Sequence, residues 1–274
     1  MRIKFYGTRG SIPICGPEFQ EFGGNTTCVL IDGPKRTGIF DAGTGIRELG
    51  KELVNDPNIG IDRPCFLVFS HFHWDHIQGL PFFAPAYDPG RHFVIAAIGR
   101  ERYGQDIKSI FATQMQSDYF PVPLDNMGAQ IDFLKTKEDF LKDGKAMARA
   151  VKHNHPGNAY SYRIEGENGK VVVFCTDIEH GDEIDERIVD LSKGADLLIH
   201  EGQYTPEELP RFKGWGHSSW EQAVEVAQRA CVKRLVITHH DPDHDDDFLR
   251  EVEKKCQARF PNTLLAREKM EIKL

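Results

Sequence analysis

The stretch Ser70-His71-Phe72-His73-Trp74-Asp75-His76 follows an apolar run, Cys65 to Phe69, that has the length and composition of a fully buried strand. Side chains alternate along an extended chain, so residues 71, 73 and 75 are expected on one side as the chain leaves that strand. Three imidazoles and a carboxylate within this short stretch offer the donors that zinc and neighbouring metals accept. A histidine-rich surface loop is the alternative, but the position at a strand end favours a metal site.

The composition is ordinary for a globular chain of 274 residues, in which 42 acidic and 34 basic side chains give a net charge of −8 with histidine neutral. This charge gives no general attraction to nucleic acid or to anionic membranes. No apolar stretch approaches the length of a membrane span, and the opening residues are typical of an alternating strand rather than a signal peptide. The six cysteines are scattered without a CxxC pair, which predicts free thiols in a cytoplasmic protein.

Strands alternate with helices along much of the chain, which predicts an α/β architecture. No linker or change of composition divides it, so we expect one domain, residues 1–274. Residues 81–150 are the hardest to assign to regular elements, and we expect this variable segment near the mouth of the site. The Gly-rich segment Gly7 to Ser11 lacks the phosphate-loop pattern, so it predicts a turn and no organic cofactor site.

Two predicted helices begin next to candidate site residues. The first is expected to begin directly after His76. The second is expected over Ser218 to Ala230, opened by a capping box of Ser218 and Glu221.

Polar side chains directly follow five of the predicted strands, namely Asp41, His71, Asp177, His200 with Glu201, and His239. In α/β sheets ligands bind at the carboxyl ends of strands, so these side chains are expected to converge. For Asp41 and Glu201 a purely structural role is an equal alternative. A further ligand is expected from the middle of the chain, where His153 and His155 are both candidates. We favour His155, because it lies at the loop that Pro156 and Gly157 begin.

With these residues the chain resembles the metallo-β-lactamase-fold hydrolases over nearly its whole length. It is most similar to their phosphodiesterase branch, which includes the tRNA 3′-processing endonucleases and the cyclic-phosphate phosphodiesterases. The opening Phe-Tyr-Gly-Thr-Arg-Gly-Ser and the later Asp-Ala-Gly-Thr-Gly also resemble this branch. The matching positions are the HxHxDH motif at His71, His73, Asp75 and His76, then His155 before Pro-Gly, Asp177 in Thr-Asp, His217 before Ser-Ser, and His239 in Thr-His.

The resemblance implies a four-layer αββα sandwich of two mixed β-sheets with helices on both outer faces. It implies two divalent metal ions, zinc first and manganese or iron as alternatives. The first ion would be held by His71, His73 and His155, the second by Asp75, His76 and His239, with Asp177 bridging.

The resemblance also implies a phosphodiesterase that acts on a small or cyclic phosphodiester through a metal-bridging hydroxide. Asp75 and Asp177 would orient that hydroxide, and His217 would donate a proton to the leaving oxygen. A structural role for His217 beside the helix start is the alternative. We therefore predict Asp75 and His217 as catalytic residues.

Several alternatives remain open. A thioester, lactone or lactam hydrolase would use the same metals, and a di-iron electron-transfer module shares the fold, although there an acidic residue commonly replaces His73. A tRNA 3′-processing endoribonuclease is less favoured, because no long Gly/Pro- and Lys-rich insertion is apparent and the charge is acidic. The expected partner is a small phosphodiester, without a membrane, and the sequence is compatible with a homodimer. His180 and the remaining histidines are left unassigned.

Overall fold

A computed structural model describes residues 1–56, 59–97, 107–134, 148–166 and 168–274. The described residues form thirteen strands in two mixed sheets. In chain order the strands are β1 Arg2–Gly7, β2 Cys28–Asp32, β3 Thr37–Phe40, β4 Cys65–Val68, β5 His92–Ala96, β6 Gln130–Phe133, β7 Ala148–His153, β8 Ala159–Glu165, β9 Val171–Cys175, β10 Leu197–Glu201, β11 Leu235–Thr238, β12 Thr263–Leu265 and β13 Glu271–Lys273.

The first sheet has the strand order β13-β1-β2-β3-β4-β5-β6, and the second has the order β12-β11-β10-β9-β8-β7. Pairing is antiparallel from β13 to β3 and parallel from β3 to β6. In the second sheet, β9 to β12 pair in parallel, whereas β8 pairs antiparallel with both β7 and β9. The parallel strands β4, β9, β10 and β11 all end at the residues in which the sequence concentrates histidines and carboxylates, which confirms the predicted arrangement at strand ends.

The described residues also form six α-helices, with the bounds α1 Ile46–Val54, α2 Trp74–Ile77, α3 Ile107–Gln114, α4 Glu186–Ser192, α5 Trp220–Arg229 and α6 Asp246–Arg259. Short 3-10 helices lie at Pro17–Phe19, Leu80–Phe82, Ala84–Tyr87, Leu124–Asn126 and Leu209–Phe212. No helix of the described residues is long and apolar enough to cross a membrane.

Three apolar clusters show why the layers stack in this order. Side chains from the facing surfaces of the two sheets, such as Phe5, Phe40 and Phe174, are buried together between the sheets. A second cluster joins the outer face of the first sheet to α1 and α3, and a third joins the outer face of the second sheet to α4, α5 and α6. Each sheet thus buries both faces, and the predicted four-layer sandwich is confirmed.

Two helix starts differ from the sequence prediction. The helix expected after His76 begins at Trp74, so Asp75 and His76 lie inside α2. The capping box of α5 consists of Ser219 and Gln222 rather than Ser218 and Glu221. The register is one residue later because Ser218 is used elsewhere: its hydroxyl donates to the carbonyl of Ile178.

The described part of the variable segment 81–150 packs beside the histidine-rich motif. Phe111 of α3 is fully buried and contacts the ring of Phe72, with the centroids 5.8 Å apart. The Gln114 amide donates to the carbonyl of Ile77 at 2.9 Å. Residues 98–106 and 135–147 lie outside the described residues, so the expected location of the whole segment at the mouth stays a prediction.

Candidate metal centre

The histidine-rich motif changes conformation in its middle. His71 and His73 lie on extended chain, and His73 is the residue that precedes α2, with φ −66° and ψ 157°. Asp75 and His76 lie in the single turn of α2. The expected alternation of residues 71, 73 and 75 is therefore wrong for Asp75, because a helical turn replaces the extended chain before it. This change directs the first two and the last two side chains of the motif to two different groups.

The structure brings all seven predicted metal ligands together. His71, His73 and His155 offer ligand atoms within 4.8 Å of one another. Asp75, His76, Asp177 and His239 form a second such group, and His217 makes a third with His155 and Asp177. This arrangement of histidine nitrogens and carboxylate oxygens suits divalent metal ions.

The first group consists of imidazoles. His155 Nε2 lies 3.1 Å from His73 Nδ1. His71 Nε2 lies 3.8 Å from Asp177 Oδ1, and this buried nitrogen has no hydrogen-bond partner among the described residues. A buried lone pair without a partner is costly, and a cation bound here would satisfy it.

The second group mixes imidazoles with carboxylates. Asp75 Oδ2 lies 3.2 Å from Nε2 of His76 and 3.2 Å from Nε2 of His239. Asp177 contacts the same two rings, at 3.2 Å from His76 Nε2 and 3.3 Å from His239 Nε2. Since Asp177 also faces His71 and His155, its carboxylate lies between the two groups.

The seven predicted ligands together are called the centre. In four of its histidines, Nδ1 faces away from the centre and contacts a polar atom, which fixes the orientation of the ring. The four pairs are His71 Nδ1 with Ser70 Oγ at 3.0 Å, His76 Nδ1 with Asp41 Oδ2 at 2.8 Å, His155 Nδ1 with the Gly216 carbonyl oxygen at 2.8 Å, and His239 Nδ1 with Gln203 Oε1 at 3.1 Å. The Nε2 atoms of these four rings are thereby directed towards the centre.

Backbone strain is concentrated at the same strand ends. Asp41 and His239 directly follow β3 and β11, and Asp177 follows β9 after one intervening residue; the three residues adopt positive φ values of 59°, 62° and 55°. L-residues rarely adopt this left-handed conformation, and it persists only where the surrounding structure enforces it. Asp177 and His239 thereby face the centre, whereas Asp41 contacts the outward nitrogen of His76.

The pKa values follow from burial and from the two carboxylates. Burial lowers the pKa of His155 to about 4 and that of His71 well below its ordinary value, so both rings are neutral. Burial also opposes a charge on His76, but Asp177, Asp75 and Asp41 outweigh burial and raise its pKa well above the ordinary value. Neighbouring histidines likewise overcome burial and hold the pKa of Asp177 well below its usual range.

His217 lies beside a buried glutamate, Glu201, whose role the sequence did not decide. Glu201 is the last residue of β10, and its Oε1 lies 3.6 Å from His217 Nδ1. Its carboxylate also accepts from the backbone N–H groups of Ile178, Gln203 and Ser218 at 3.1, 3.0 and 2.8 Å. Burial lowers the pKa of His217, but Glu201 and Asp177 outweigh this effect and raise the pKa above the ordinary value.

A known family matches this fold and this site. The Beta-lactamase superfamily domain matches residues 36–240, which is most of the chain. The chain belongs to this superfamily. The predicted family resemblance is thus confirmed, and with it the expectation of a metal-dependent hydrolase.

Individual relatives resemble this superfamily member from end to end. The Ribonuclease Z of Prochlorococcus marinus (strain NATL1A) is 23% identical and is aligned over 100% of this chain and 99% of its own length. The crystal structure of human tRNase Z, short form, matches with a TM-score of 0.67 at 19% identity, over 100% of this chain and 99% of that chain. A new diphosphatase from the PhnP family matches with a TM-score of 0.66 at 15% identity, over 100% of this chain and 97% of that chain.

The loop from Gly7 to Ser11 belongs to the site. The sequence predicted only a turn there. The backbone N–H of Ser11 donates to Asp75 Oδ2 at 2.8 Å. A side chain at Gly10 would place its Cβ 2.4 Å from His239 Nδ1, so only glycine lets the loop approach this closely. The second glycine of the segment, immediately before a polar residue, was the available signal.

The sequence allowed a purely structural role for Asp41 and Glu201. In the structure each carboxylate lies beside a histidine of the site, so a purely structural role does not describe either residue fully. Asp41 accepts from the backbone N–H and the hydroxyl of Ser70 at 2.7 Å each, and it contacts His76. Both carboxylates are buried; Asp41 orients the ring of His76, and Glu201 places a negative charge beside the ring of His217.

Proposed function

We propose that the chain is a two-metal phosphodiesterase, with the metals held as the resemblance implies. The observation that carries this proposal is the division of seven donor side chains into two adjacent groups, with Asp177 facing both. His71, His73 and His155 would hold one ion, and Asp75, His76 and His239 the other. Imidazole nitrogens with carboxylate oxygens favour zinc, with manganese and iron as alternatives. We also propose that the protein is located in the cytoplasm.

The residues of the centre would divide the chemistry among them. Two divalent ions, when bound, supply Lewis-acid stabilisation of the phosphoryl oxygens and activate the attacking water. Asp75 and Asp177 would accept hydrogen bonds from the attacking water and so orient it. His217 Nδ1 lies 3.6 Å from Glu201 Oε1, and the charge of this carboxylate favours the protonated form of the ring. His217 can therefore donate a proton to the leaving oxygen.

We further propose a small or cyclic phosphodiester as the substrate. The alignment with the Prochlorococcus Ribonuclease Z extends over 335 positions, against 274 residues here, so that relative has segments without a counterpart in this chain. The net charge of −8 also gives no general attraction to RNA. Both observations favour a substrate smaller than a folded RNA.

A tRNA 3′-processing endoribonuclease is the second candidate. It is favoured by the full-length similarity to proteins named Ribonuclease Z and Ribonuclease BN. A thioester, lactone or lactam hydrolase would use the same donors, but the buried pair of His217 and Glu201 beside Asp177 supplies the proton that an alkoxide leaving group needs.

The test combines metal analysis with a substrate screen. Gently purified protein should carry close to two transition metal ions per chain. The loaded enzyme should hydrolyse bis-p-nitrophenyl phosphate or cyclic nucleotides faster than thioester or lactam substrates. Undetectable diesterase activity in the fully loaded enzyme would remove the proposal, and cleavage of precursor tRNA with no activity on small diesters would favour the second candidate.

His217→Ala separates proton donation from metal binding. The variant should keep both ions, and it should lose roughly 10²–10⁴-fold in turnover of nucleotide diesters, whose leaving group needs a proton. The loss should be much smaller with p-nitrophenolate as the leaving group. Equal losses on both kinds of substrate would assign His217 to stabilising the phosphoryl charge, and no loss on either would make it structural.

A further inference from the structure

Large apolar side chains are exposed around the centre. Trp74 is 66% exposed and lies between His73 and Asp75, and Trp215 is 62% exposed and precedes Gly216 and His217. Isolated exposed apolar residues are common, but a tryptophan exposed beside catalytic groups is characteristic of a binding surface.

The backbone on both sides of Trp215 is fixed. Gly214 and Gly216 have φ values of 90° and 92°, a conformation that favours glycine. Their N–H groups donate to the carboxylate of Glu179, each at 2.9 Å. The carbonyl of Gly216 accepts from His155 Nδ1, which joins this loop to the first donor group. Trp215 is thus presented to solvent on an anchored turn.

A series of ring contacts connects Trp215 to the centre. His239 and His217 are stacked, with centroids 5.2 Å apart, and His217 lies 6.0 Å from Tyr204. Tyr204 stacks on Phe212 at 4.3 Å with an interplanar angle of 6°, and Phe212 contacts Trp215 at 5.3 Å. The series therefore begins at the predicted proton donor, passes through the buried Tyr204, and ends at a surface formed by the half-buried Phe212 and the exposed Trp215.

The spacing of Trp215 and His217 connects this surface to the substrate. Residues two apart have Cα atoms at most about 7 Å apart. The exposed indole is thus close enough to His217 to contact an organic substituent of a diester whose phosphate is bound at His217 and the metal ligands. Nucleotides combine a charged phosphodiester with a planar, uncharged base, and aromatic side chains stack on such bases with little dependence on base identity. An alkyl substituent would gain no stacking from an indole.

We propose that Trp215, supported by Phe212, is the stacking platform for a nucleobase of the substrate, and that it determines specificity for nucleoside phosphodiesters. Glu179 is a positioning residue, because it holds the turn that carries Trp215. The inference rests on the proposed phosphodiesterase activity and names the substrate class of the same site.

The test compares two substrates that release the same p-nitrophenolate. Thymidine 5′-(p-nitrophenyl phosphate) carries a base, whereas methyl p-nitrophenyl phosphate does not. Wild-type enzyme with its metals bound should favour the thymidine ester in kcat/KM. Trp215→Leu should reduce this preference roughly tenfold, mainly through the KM of the thymidine ester, as expected for the loss of one stacking contact. Trp215→Phe retains a ring and should keep most of the preference.

Tyr119→Leu is the matched control, because Tyr119 is 66% exposed, close to the 62% of Trp215, and among the described residues no ring contact joins it to a histidine of the centre. It should leave the preference unchanged. The proposal is overturned if Trp215→Leu changes both substrates equally, if it changes neither, or if Trp74→Leu removes the preference instead. Failure of wild-type enzyme to hydrolyse either ester would contradict the phosphodiesterase proposal itself, whereas good turnover without a preference contradicts only the stacking platform.

Discussion

Two groups of buried histidines lie side by side in this molecule, and only one is suited to binding metal. The centre contains His71, His155 and His239 with their neighbours. The adjacent group, called here the neighbouring histidine cluster, consists of His153, His180 and His200, which are 3%, 9% and 0% exposed. Both groups thus contain several buried imidazoles.

The two groups differ in where their nitrogens point. His180 and His200 are stacked, with Nε2 atoms 3.3 Å apart. His180 Nδ1 accepts from the backbone N–H of Asp185, and His200 Nδ1 lies 2.6 Å from the Glu201 carbonyl oxygen. His180 therefore donates through Nε2, and both rings are neutral members of one hydrogen-bonded chain. In the centre, by contrast, Nε2 atoms converge on shared carboxylates.

The carboxylates make the second difference. Asp75 and Asp177 face the rings of the centre, whereas the described metal-ligand groups do not include His153, His180 or His200. A cation placed between His180 and His200 would displace the hydrogen bond that joins their Nε2 atoms, and no carboxylate of the described residues lies between these two rings as Asp177 lies between the donor groups of the centre. A metal site in this fold therefore needs convergent lone pairs and carboxylates, and not histidine density alone.

Asp177→Asn should have the largest effect, because it removes the charge between the two donor groups and makes the centre resemble the neighbouring cluster. Metal content should fall below one ion per chain. Activity should fall by more than the roughly 10²-fold that the loss of an outer hydrogen-bond partner costs. Metal analysis and kcat/KM on an activated diester would measure both. Retention of two ions would show that Asp177 is not shared between them.

His155→Ala and His153→Ala test the boundary between the two groups, since only two positions separate the residues. His155 Nε2 faces His73 and Asp177, whereas neither ring nitrogen of His153 has a hydrogen-bond partner among the described residues. His155→Ala should lose one ion and most of the activity, and His153→Ala should keep both ions. A crystal structure of the loaded enzyme with His153 bound to metal would reverse the assignment.

Asp41→Asn should have a smaller effect, because Asp41 contacts His76 from outside the centre. Its carboxylate fixes the His76 ring and makes Nε2 a stronger metal ligand. Loss of such a partner typically lowers metal affinity 10- to 100-fold. Competition with a chelator would measure the change. Ser70→Ala, which removes the hydroxyl beside His71, serves as a comparison for the first donor group. If the metal affinity of Asp41→Asn is unchanged, the role of Asp41 is only to bind the backbone N–H of Ser70.

His180→Gln should have the smallest effect, confined to stability at acid pH. Burial lowers the pKa of His180 to about 2 in the folded state, whereas an unfolded imidazole titrates near 6.5. As the pH falls below about 6.5, the unfolded state takes up a proton and the folded state does not, so the free energy of unfolding falls by about 1.4 kcal/mol per pH unit. Between pH values near 6.5 and 5, wild type should lose about 2 kcal/mol more than the variant. Urea unfolding at both pH values measures this difference, and equal losses would mean that His180 is not held neutral.

Much of the centre could be predicted from the sequence, because strong local patterns specify it. The apolar run before Ser70 and the dense ligands of the motif predicted a site at the end of β4. Strand-end residues such as Asp177 and His239 were expected to join it, and the structure brings them within contact distance. The predictions failed where local patterns had two solutions, as at the capping box, where Ser219 rather than Ser218 precedes α5.

The sequence by itself determined the α/β architecture and the chemical character of the site, because burial patterns and donor types are properties of neighbouring residues. Only the tertiary structure decided that the motif divides at His73, since a helical turn and an extended strand end fit the same residues. Tertiary structure also placed Gly10 against His239 and Glu201 against His217. Such contacts join residues far apart in the chain, and the packing of the two sheets rather than any local pattern determines them.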